Sequence, residues 1–442
     1  MDSYPLDLAN VIHRKLGELK LMQPSVQTLT DLFEVLYFTS LKTEEGAPLH
    51  CRVVYLDPAN PDPSPPPRIL AHRWKHITLA ERLPFNIRNL SKLCRGVDPW
   101  SSSLAVFADE DGALYIWGFI DQTVHFNTFI VRESGGGPPE PGLFQAVSQG
   151  VADIIVYREH SIIARLAQNA LLQQPNDVLW TGPVSRRLSR YIASFRNRVV
   201  SLVGRKGYQQ FPFWDISLRE NWLDTICRIL INVQRYRHGG ALLITGTPED
   251  LNVKYRIEYK RLSEALTQLA RLQILNRNTW DLVHERYIDR GRKTMPVDLH
   301  LDEVIVEHDI DDSQMELTGC IRFISSLSLV DGLVLMRPDL TITGFGTEIT
   351  CQKKLGKVFL ATEPSGKKSS RREIDPNHFG TRHRSMMRYC QLHPASIGFV
   401  ISQDGDIRAV TCEKEDVVLW DNIKVHRLFE QKALKSKRTK SN

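Results

Sequence analysis

The sequence predicts an α/β protein in two parts, and three observations carry that prediction. Short apolar runs that read as strands alternate with stretches of helical spacing. The Gly/Pro-rich stretch "ESGGGPPEPG" at 133–142 is the clearest break in the chain. At 442 residues the chain is too long for one typical domain, so two to three are expected. Apolar residues make up 42% and charged residues 24%, an ordinary balance for a chain that buries a real core.

Taken in order, "LHCRVVYLD" reads as a strand running into a Pro-rich loop, "PANPDPSPPPR", that cannot be regular structure. "LAERLPFNIRNLSKLC" reads as a helix. "SSLAVFADEDGALYIWGFID" has the pattern of a β-hairpin, two apolar strands around Asp111-Gly112. After the break, "ADIIVYREHSIIARL" reads as one strand, and "SRRLSRYIASFRNRVVSLVGRK" as a basic helical connector. A second unit starts near Trp214 with the helical "ENWLDTICRILINVQRYR". "HGGALLITG" is a loop entering a buried strand, and "YRIEYKRLSEALTQLARLQILNR" is helical. The acid-rich stretch 276–318 reads as a solvated insertion. "VDGLVLM" and "LTITGFG" are expected to pair as strands, and "EPSGKKSSRREIDPN" reads as a basic loop. The expected domains are 1–200, including the connector, and 215–432, followed by a basic tail, 433–442.

Several function classes are disfavoured at once. No apolar run reaches the length of about 18 residues that a membrane helix needs, so no membrane partner is expected. The N-terminus, with early acids and no apolar h-region, does not resemble a signal peptide. The seven cysteines (51, 94, 227, 320, 351, 390 and 412) are dispersed with no CxxC pair, which argues against a disulfide framework or a zinc site and for a reducing, cytoplasmic location. Net charge is +6, and the tail "QKALKSKRTKSN" alone carries five Lys/Arg. A solvated terminus explains it. Nucleic acid is a conceivable partner, but no RRM, helix-turn-helix or finger signature supports it.

The chemistry concentrates in four places. In "FGTRHRS", Gly380-Thr381 suits a turn and helix cap, with Thr381 accepting from backbone N–H groups. A helix start already favours anions, so Arg382, His383 and Arg384 there need an anion to answer them. Guanidinium forks bind phosphate oxygens, and His can donate or ligate a metal. On the residues alone, a solvated basic helix start and a phosphate site both stay open. Asp331-Gly332 offers a carboxylate for Mg²⁺ or Mn²⁺ beside a residue that lets a ligand come close. An Asp-Gly turn is the plain alternative, as at Asp111-Gly112. "RHGGALL" and "GFVISQDG" are strand ends that suit either a ligand or a tight turn. "TEPSGKKSS" is no phosphate loop, since its first Gly would fall at Ala361. "VEHDIDDSQME" lacks the alternation of a calcium loop, and His393-Pro394 reads as a helix stop.

The order "HGGALLI", "VDGLVLM", "GTRHRS", "ISQDG" resembles the nucleotide-binding domain of the diadenylate cyclases, including the DNA-integrity scanning proteins. That family's pattern is a GALI strand, a DGA turn, a GTRHRA helix start and an SEE strand end. The resemblance covers roughly residues 215–430, about half the chain, with Asp331 51 residues ahead of Arg382. The GTRHR match in order with DG is specific, whereas GALL and SQD are supportive. Residues around "KTEEGAPLHCRVVYLDP" and "SSLAVFADEDGALYIWGF" resemble, more loosely, the sensor domain of the DACNV type found ahead of such domains in bacteria.

The resemblance implies a mixed β-sheet flanked by helices, with a separate N-terminal α+β sensor domain. It implies that two ATP are condensed into cyclic di-AMP with release of pyrophosphate. Asp331 would position the divalent metal, Mg or Mn, and activate a 3′-hydroxyl, while Gly332 leaves room for the sugar. Gly380, Thr381, Arg382, His383, Arg384 and Ser385 would hold the triphosphate. Gly240, Ala241, Leu242 and Leu243 would flank the adenine, with Leu333 and Gln403 also at the nucleotide. His383 and Asp404 join Asp331 as metal ligands, and Ser402 and Asp404 stand in for the Ser and a Glu of SEE. Because the product is two-fold symmetric and each domain holds one ATP, a homodimer or higher oligomer is implied. Leu333 in place of Ala, Gln403 in place of a carboxylate and Met386-Met387 after RHRS depart from the pattern. They leave room for a second reading, a receptor that binds ATP or a cyclic dinucleotide without turnover.

Overall fold

A computed structural model describes the chain apart from residues 1–2, 45–46, 62–73, 99–100, 124–140, 159–160, 168–169, 173–175, 206–213, 237, 284–296, 404–405 and 426–442. The basic tail, most of the Pro-rich loop and nearly all of the 133–142 break lie outside the described residues. The backbone separates into two compact units, one containing Met1–Pro175 and the other Asn176–Val425. Both are mixed β-sheets flanked by helices.

The first unit opens with α1 (Pro5–Glu18) and α2 (Val26–Ser40). Leu8, Ile12 and Leu16 repeat at four-residue spacing and are fully buried, so one stripe of α1 faces the core. Ser25 caps α2 by accepting from the amide of Thr28 at 3.0 Å. Two short strands, β1 (Thr43–Glu44) and β2 (Ala47–Pro48), precede β3 (Cys51–Tyr55), β4 (Lys75–Pro84) and α3 (Ile87–Leu93). The sheet is completed by β5 (Ser102–Ala108), β6 (Leu114–Asp121), β7 (Phe144–Gly150), β8 (Asp153–Arg158), β9 (Ser161–Ala167) and β10 (Ala170–Leu172). Its order is β10-β9-β8-β7-β3-β5-β6-β4, with β3 and β5 parallel. The hairpin expected around Asp111-Gly112 is β5–β6. Two expectations are corrected. Residues 79–84, expected to be helical, belong to the edge strand β4, and the single strand expected at 152–166 is the hairpin β8–β9.

The second unit contains α4 (Gly182–Val203), α5 (Trp214–Arg235), β11 (Gly240–Ile244), β12 (Leu251–Tyr259), α6 (Arg261–Val283) and α7 (Val297–Leu327). It continues through β13 (Leu333–Met336), β14 (Ile342–Ile349), β15 (Val358–Ala361), β16 (Arg371–Ile374), α8 (Thr381–Leu392), β17 (Ile397–Ile401), β18 (Ile407–Glu413) and β19 (Asp416–Trp420). The connector helix α4 packs here: its Arg187 bridges to Glu413 at 3.1 Å, and its Tyr191 hydroxyl donates to the Ala395 carbonyl at 2.8 Å. Residues 255–259 are strand rather than helix. The acid-rich stretch is a helix of 31 residues from residue 297 on, and β16 lies within the expected basic loop.

The nine strands run β12-β14-β13-β11-β17-β18-β19-β15-β16. Alternation along β11 splits the core in two. Leu242 and Ile244 join α4–α7 on one face, while Ala241 and Leu243 join α8 on the other. The helix α8 lies close on β17 because Gly398 has no side chain: a Cβ there would sit 2.3 Å from Cγ and Sδ of the buried Met386.

Candidate functional site

Strand register gathers the four sequence motifs at one end of the nine-stranded sheet. β11 and β13 are parallel with Leu242 opposite Val334, which puts Gly240 level with Gly332. β17 runs antiparallel to β11, and Gly240 faces Ile401, so Ser402 and Gln403 follow at the same end. A Cβ on Gly239 would lie 3.1 Å from Nη1 of Arg382 and 3.4 Å from the amide N of Gln403. The first arginine of the triplet therefore reaches back over the start of β11, and Gly239, at φ +70°, leaves it room.

Asp331 is exposed and makes no hydrogen bond or ion pair among the described residues. Gly332 behind it has φ +117°, and a Cβ there would sit 2.6 Å from the carbonyl carbon of Gly346. The Asp-Gly pair is thus pressed against β14 where no other residue fits.

α8 starts at Thr381, and its cap is Gly380 with no side-chain hydrogen bond, so the expected Thr381 cap is corrected: its hydroxyl is already inside the first turn and exposed. Its next three residues diverge in environment. Arg384 buries an Nε that has no partner among the described residues. His383 is half-buried, 5.6 Å from the Phe379 ring, and its Nε2 lies 3.1 Å from Nη1 of Arg408. A guanidinium only donates, so Nε2 accepts and the ring proton of the neutral tautomer belongs on Nδ1. Burial, then the guanidiniums of Arg408 and Arg382, push His383 down to about 4, so the ring is neutral at pH 7. Arg408 is itself held by Asp406 at 2.7 Å and Asp421 at 2.5 Å.

The placement separates the remaining expected residues. Leu242, Leu243 and Leu333 are buried in the two cores, and Ala241 is 2% exposed, so their side chains are core residues in the free chain. Met386 and Met387 are core residues as well. The Ser402 hydroxyl accepts from the amide of Asp406 at 3.0 Å, which closes the strand-end turn. Gln403 and Gly380 are exposed, and Ser385 is half-buried on α8. Asp404 lies outside the described residues. Among the described residues no three His, Cys, Asp or Glu side chains cluster to hold a metal. His383, with its acceptor nitrogen taken by Arg408, does not fit a ligand role. Asp331 does fit the pattern of a hard cation held by one carboxylate and substrate phosphates.

Arg408, Asp406 and Asp421 were missed by sequence reasoning. The signal for them was an arginine inside the strand "DIRAV", which has to find carboxylates once the strand is packed.

Comparison with known proteins places part of the chain. The family model "Probable sensor domain DACNV", the N-terminal sensor part of diadenylate cyclase proteins, matches residues 20–121. That segment runs from just before α2 to the end of β6, within the first unit. No curated protein matches the chain. Among the described residues no helix is long and apolar enough to cross a membrane.

Proposed function

We propose that the second unit is a nucleotidyltransferase of the diadenylate cyclase type, governed by the sensor domain ahead of it. The observation that carries this reading is the meeting of the Asp331-Gly332 turn, the Gly239-Gly240 strand start and the Arg382–Arg384 helix start at one sheet end. A DACNV match in the first unit supports it independently. ATP enters with its triphosphate on Arg382 and Arg384 and the free amides of the helix start. His383, neutral and hydrogen-bonded to Arg408, positions the helix start. The 3′-hydroxyl oxygen of one ATP forms a bond to the α-phosphorus of the other, the bond from that phosphorus to pyrophosphate breaks, and the hydroxyl proton passes to Asp331 or water. The same transfer run a second time closes cyclic di-AMP, so two copies of the domain face each other in a homodimer or larger assembly. Asp331 would hold Mg²⁺ or Mn²⁺ together with the nucleotide, and the metal would supply charge neutralisation, while positioning by the chain's own residues supplies most of the rest.

The test incubates the full chain with labelled ATP and Mn²⁺ or Mg²⁺ and resolves the products. Cyclic di-AMP is expected, and Asp331→Asn abolishes it. One feature favours a second reading, a receptor that binds ATP or a cyclic dinucleotide without turnover: the expected metal ligand His383 is engaged by Arg408. Saturable binding weakened by Arg382→Ala, with no product in either metal, would establish that reading and remove the cyclase.

A further inference from the structure

Tyr255 lies on β12, the edge strand of the nine-stranded sheet, directly opposite Phe345 on β14. The two rings are stacked, with centroids 4.9 Å apart and planes at 19°. Such a cross-strand pair stabilises a sheet edge, yet Tyr255 leaves 51% of its surface in water.

Its surroundings point to a ligand. The ring runs along Gly346, where a Cβ would sit 3.0 Å from Cδ2 and 3.2 Å from Cε2. The same Cβ would be 3.5 Å from the carbonyl oxygen of Asp331. Gly346 has φ +59° and Gly332 φ +117°, and the two glycines back directly onto each other. They leave the space over Gly346 free of side chains, between the exposed Tyr255 ring and the backbone of the exposed Asp331. From β12 to β11, where Arg382 reaches Gly239, is three strand spacings, about 14 Å. A ring, an open space, a carboxylate and then guanidiniums follow the order of a nucleotide's base, sugar and phosphates.

We propose that Tyr255 is the platform on which the purine base of a bound nucleotide stacks, with the ribose over Gly346 and Gly332 beside Asp331. This rests on the nucleotide reading above and adds to it a base-binding residue on a strand that no sequence motif marks. It also replaces the leucines of β11, which are core residues, as the contact for the base.

The experiment compares binding of ATP and of inorganic tripolyphosphate to the full chain by titration calorimetry. The variants are Tyr255→Ala, Tyr255→Phe and Tyr255→Leu, the last keeping apolar bulk against Phe345 without a ring. Stacking on an aromatic side chain is strong enough that Tyr255→Ala and Tyr255→Leu should each weaken ATP about tenfold or more. Tyr255→Phe should bind ATP as the wild type does, and tripolyphosphate affinity should not change in any variant. If the wild type binds ATP and Tyr255→Leu binds it equally well, the platform is overturned while the nucleotide reading stands. If the wild type binds tripolyphosphate but shows no preference for ATP, the platform is overturned at the base alone. A wild type that binds neither overturns both.

Discussion

Replacing His383 by Gln tests the electrostatics at the start of α8. Gln keeps an acceptor near the position of Nε2 for the Arg408 guanidinium but cannot titrate. In the folded chain His383 has its pKa lowered to about 4 by burial and by Arg408 and Arg382, against an ordinary 6.5. Between those values the unfolded chain takes up a proton at this residue and the folded chain does not. The stabilisation is therefore fully present above pH 6.5 and is lost as the pH falls toward 4. A difference of that size sets a ceiling of about 3 kcal/mol. The ring is only half-buried, so solvent screening leaves on the order of 1–2 kcal/mol.

Urea denaturation of wild type and His383→Gln at pH 7.5, 6.5, 5.5 and 4.5 reads this directly. The other thirteen histidines titrate alike in both proteins, so their contribution cancels in the difference. The expected result is a gap that shifts by about 1–2 kcal/mol in favour of the variant between pH 7.5 and 4.5. A gap that stays constant over this range would falsify the assignment of a neutral His383. A gap moving the other way would mean that the ring is a cation in the folded chain.

Two further outcomes follow from the same region. Gly398→Ala places a Cβ 2.3 Å from Met386 Sδ on a central strand and should cost about 1–3 kcal/mol by overpacking. Met386→Ala alone should cost about 2–5 kcal/mol, and the double variant clearly less than the sum of the two in urea denaturation, whereas strict additivity would show that the two residues do not meet. Removing divalent metal with EDTA should weaken ATP binding at least tenfold by calorimetry without changing the thermal midpoint of the free protein. Unchanged affinity would mean that Asp331 holds no metal with the nucleotide.

How much of this was legible in the sequence depended on whether a segment buries two faces, one or none. β11, β13 and β17 are buried along their whole length, and "GALLI", "LVLM" and "IGFVI" read as strands from composition alone. The start of α8 and its stop at His393-Pro394 were legible because Gly, Thr and Pro punctuate the backbone there. The edge strands β4 and β12 bury neither face fully; β12, "LNVKYRIEY", does alternate apolar and polar residues, but no Gly or Pro separates it from the next element, and "YRIEY" merged with the helix that follows. The helix α7 was obscured by its own exposure. Val297, Leu301, Val304 and Ile305 are exposed among acids, and the regular core spacing of Cys320, Ile321, Ile324 and Leu327 begins only in its second half.

The candidate site shows the same division more sharply. The triplet Arg382-His383-Arg384 reads in sequence as three neighbouring donors, yet a helix start gives adjacent residues different directions and different partners. Arg382 turns to β11, His383 to Arg408, and Arg384 keeps an orphan nitrogen. Arg408, which no motif marks, enters the cluster from β18 bringing Asp406 and Asp421 with it. Three guanidiniums set against two carboxylates, around a neutral imidazole, leave a single net positive charge. A triphosphate carries more negative charge than that. The residues at the helix start can orient a nucleotide but cannot neutralise it alone, which is why an exposed, unpaired Asp331 at the neighbouring strand matters. A carboxylate there adds repulsion unless a divalent cation sits between it and the phosphates. For the proposed nucleotide, this charge balance favours a metal–nucleotide complex over the free triphosphate.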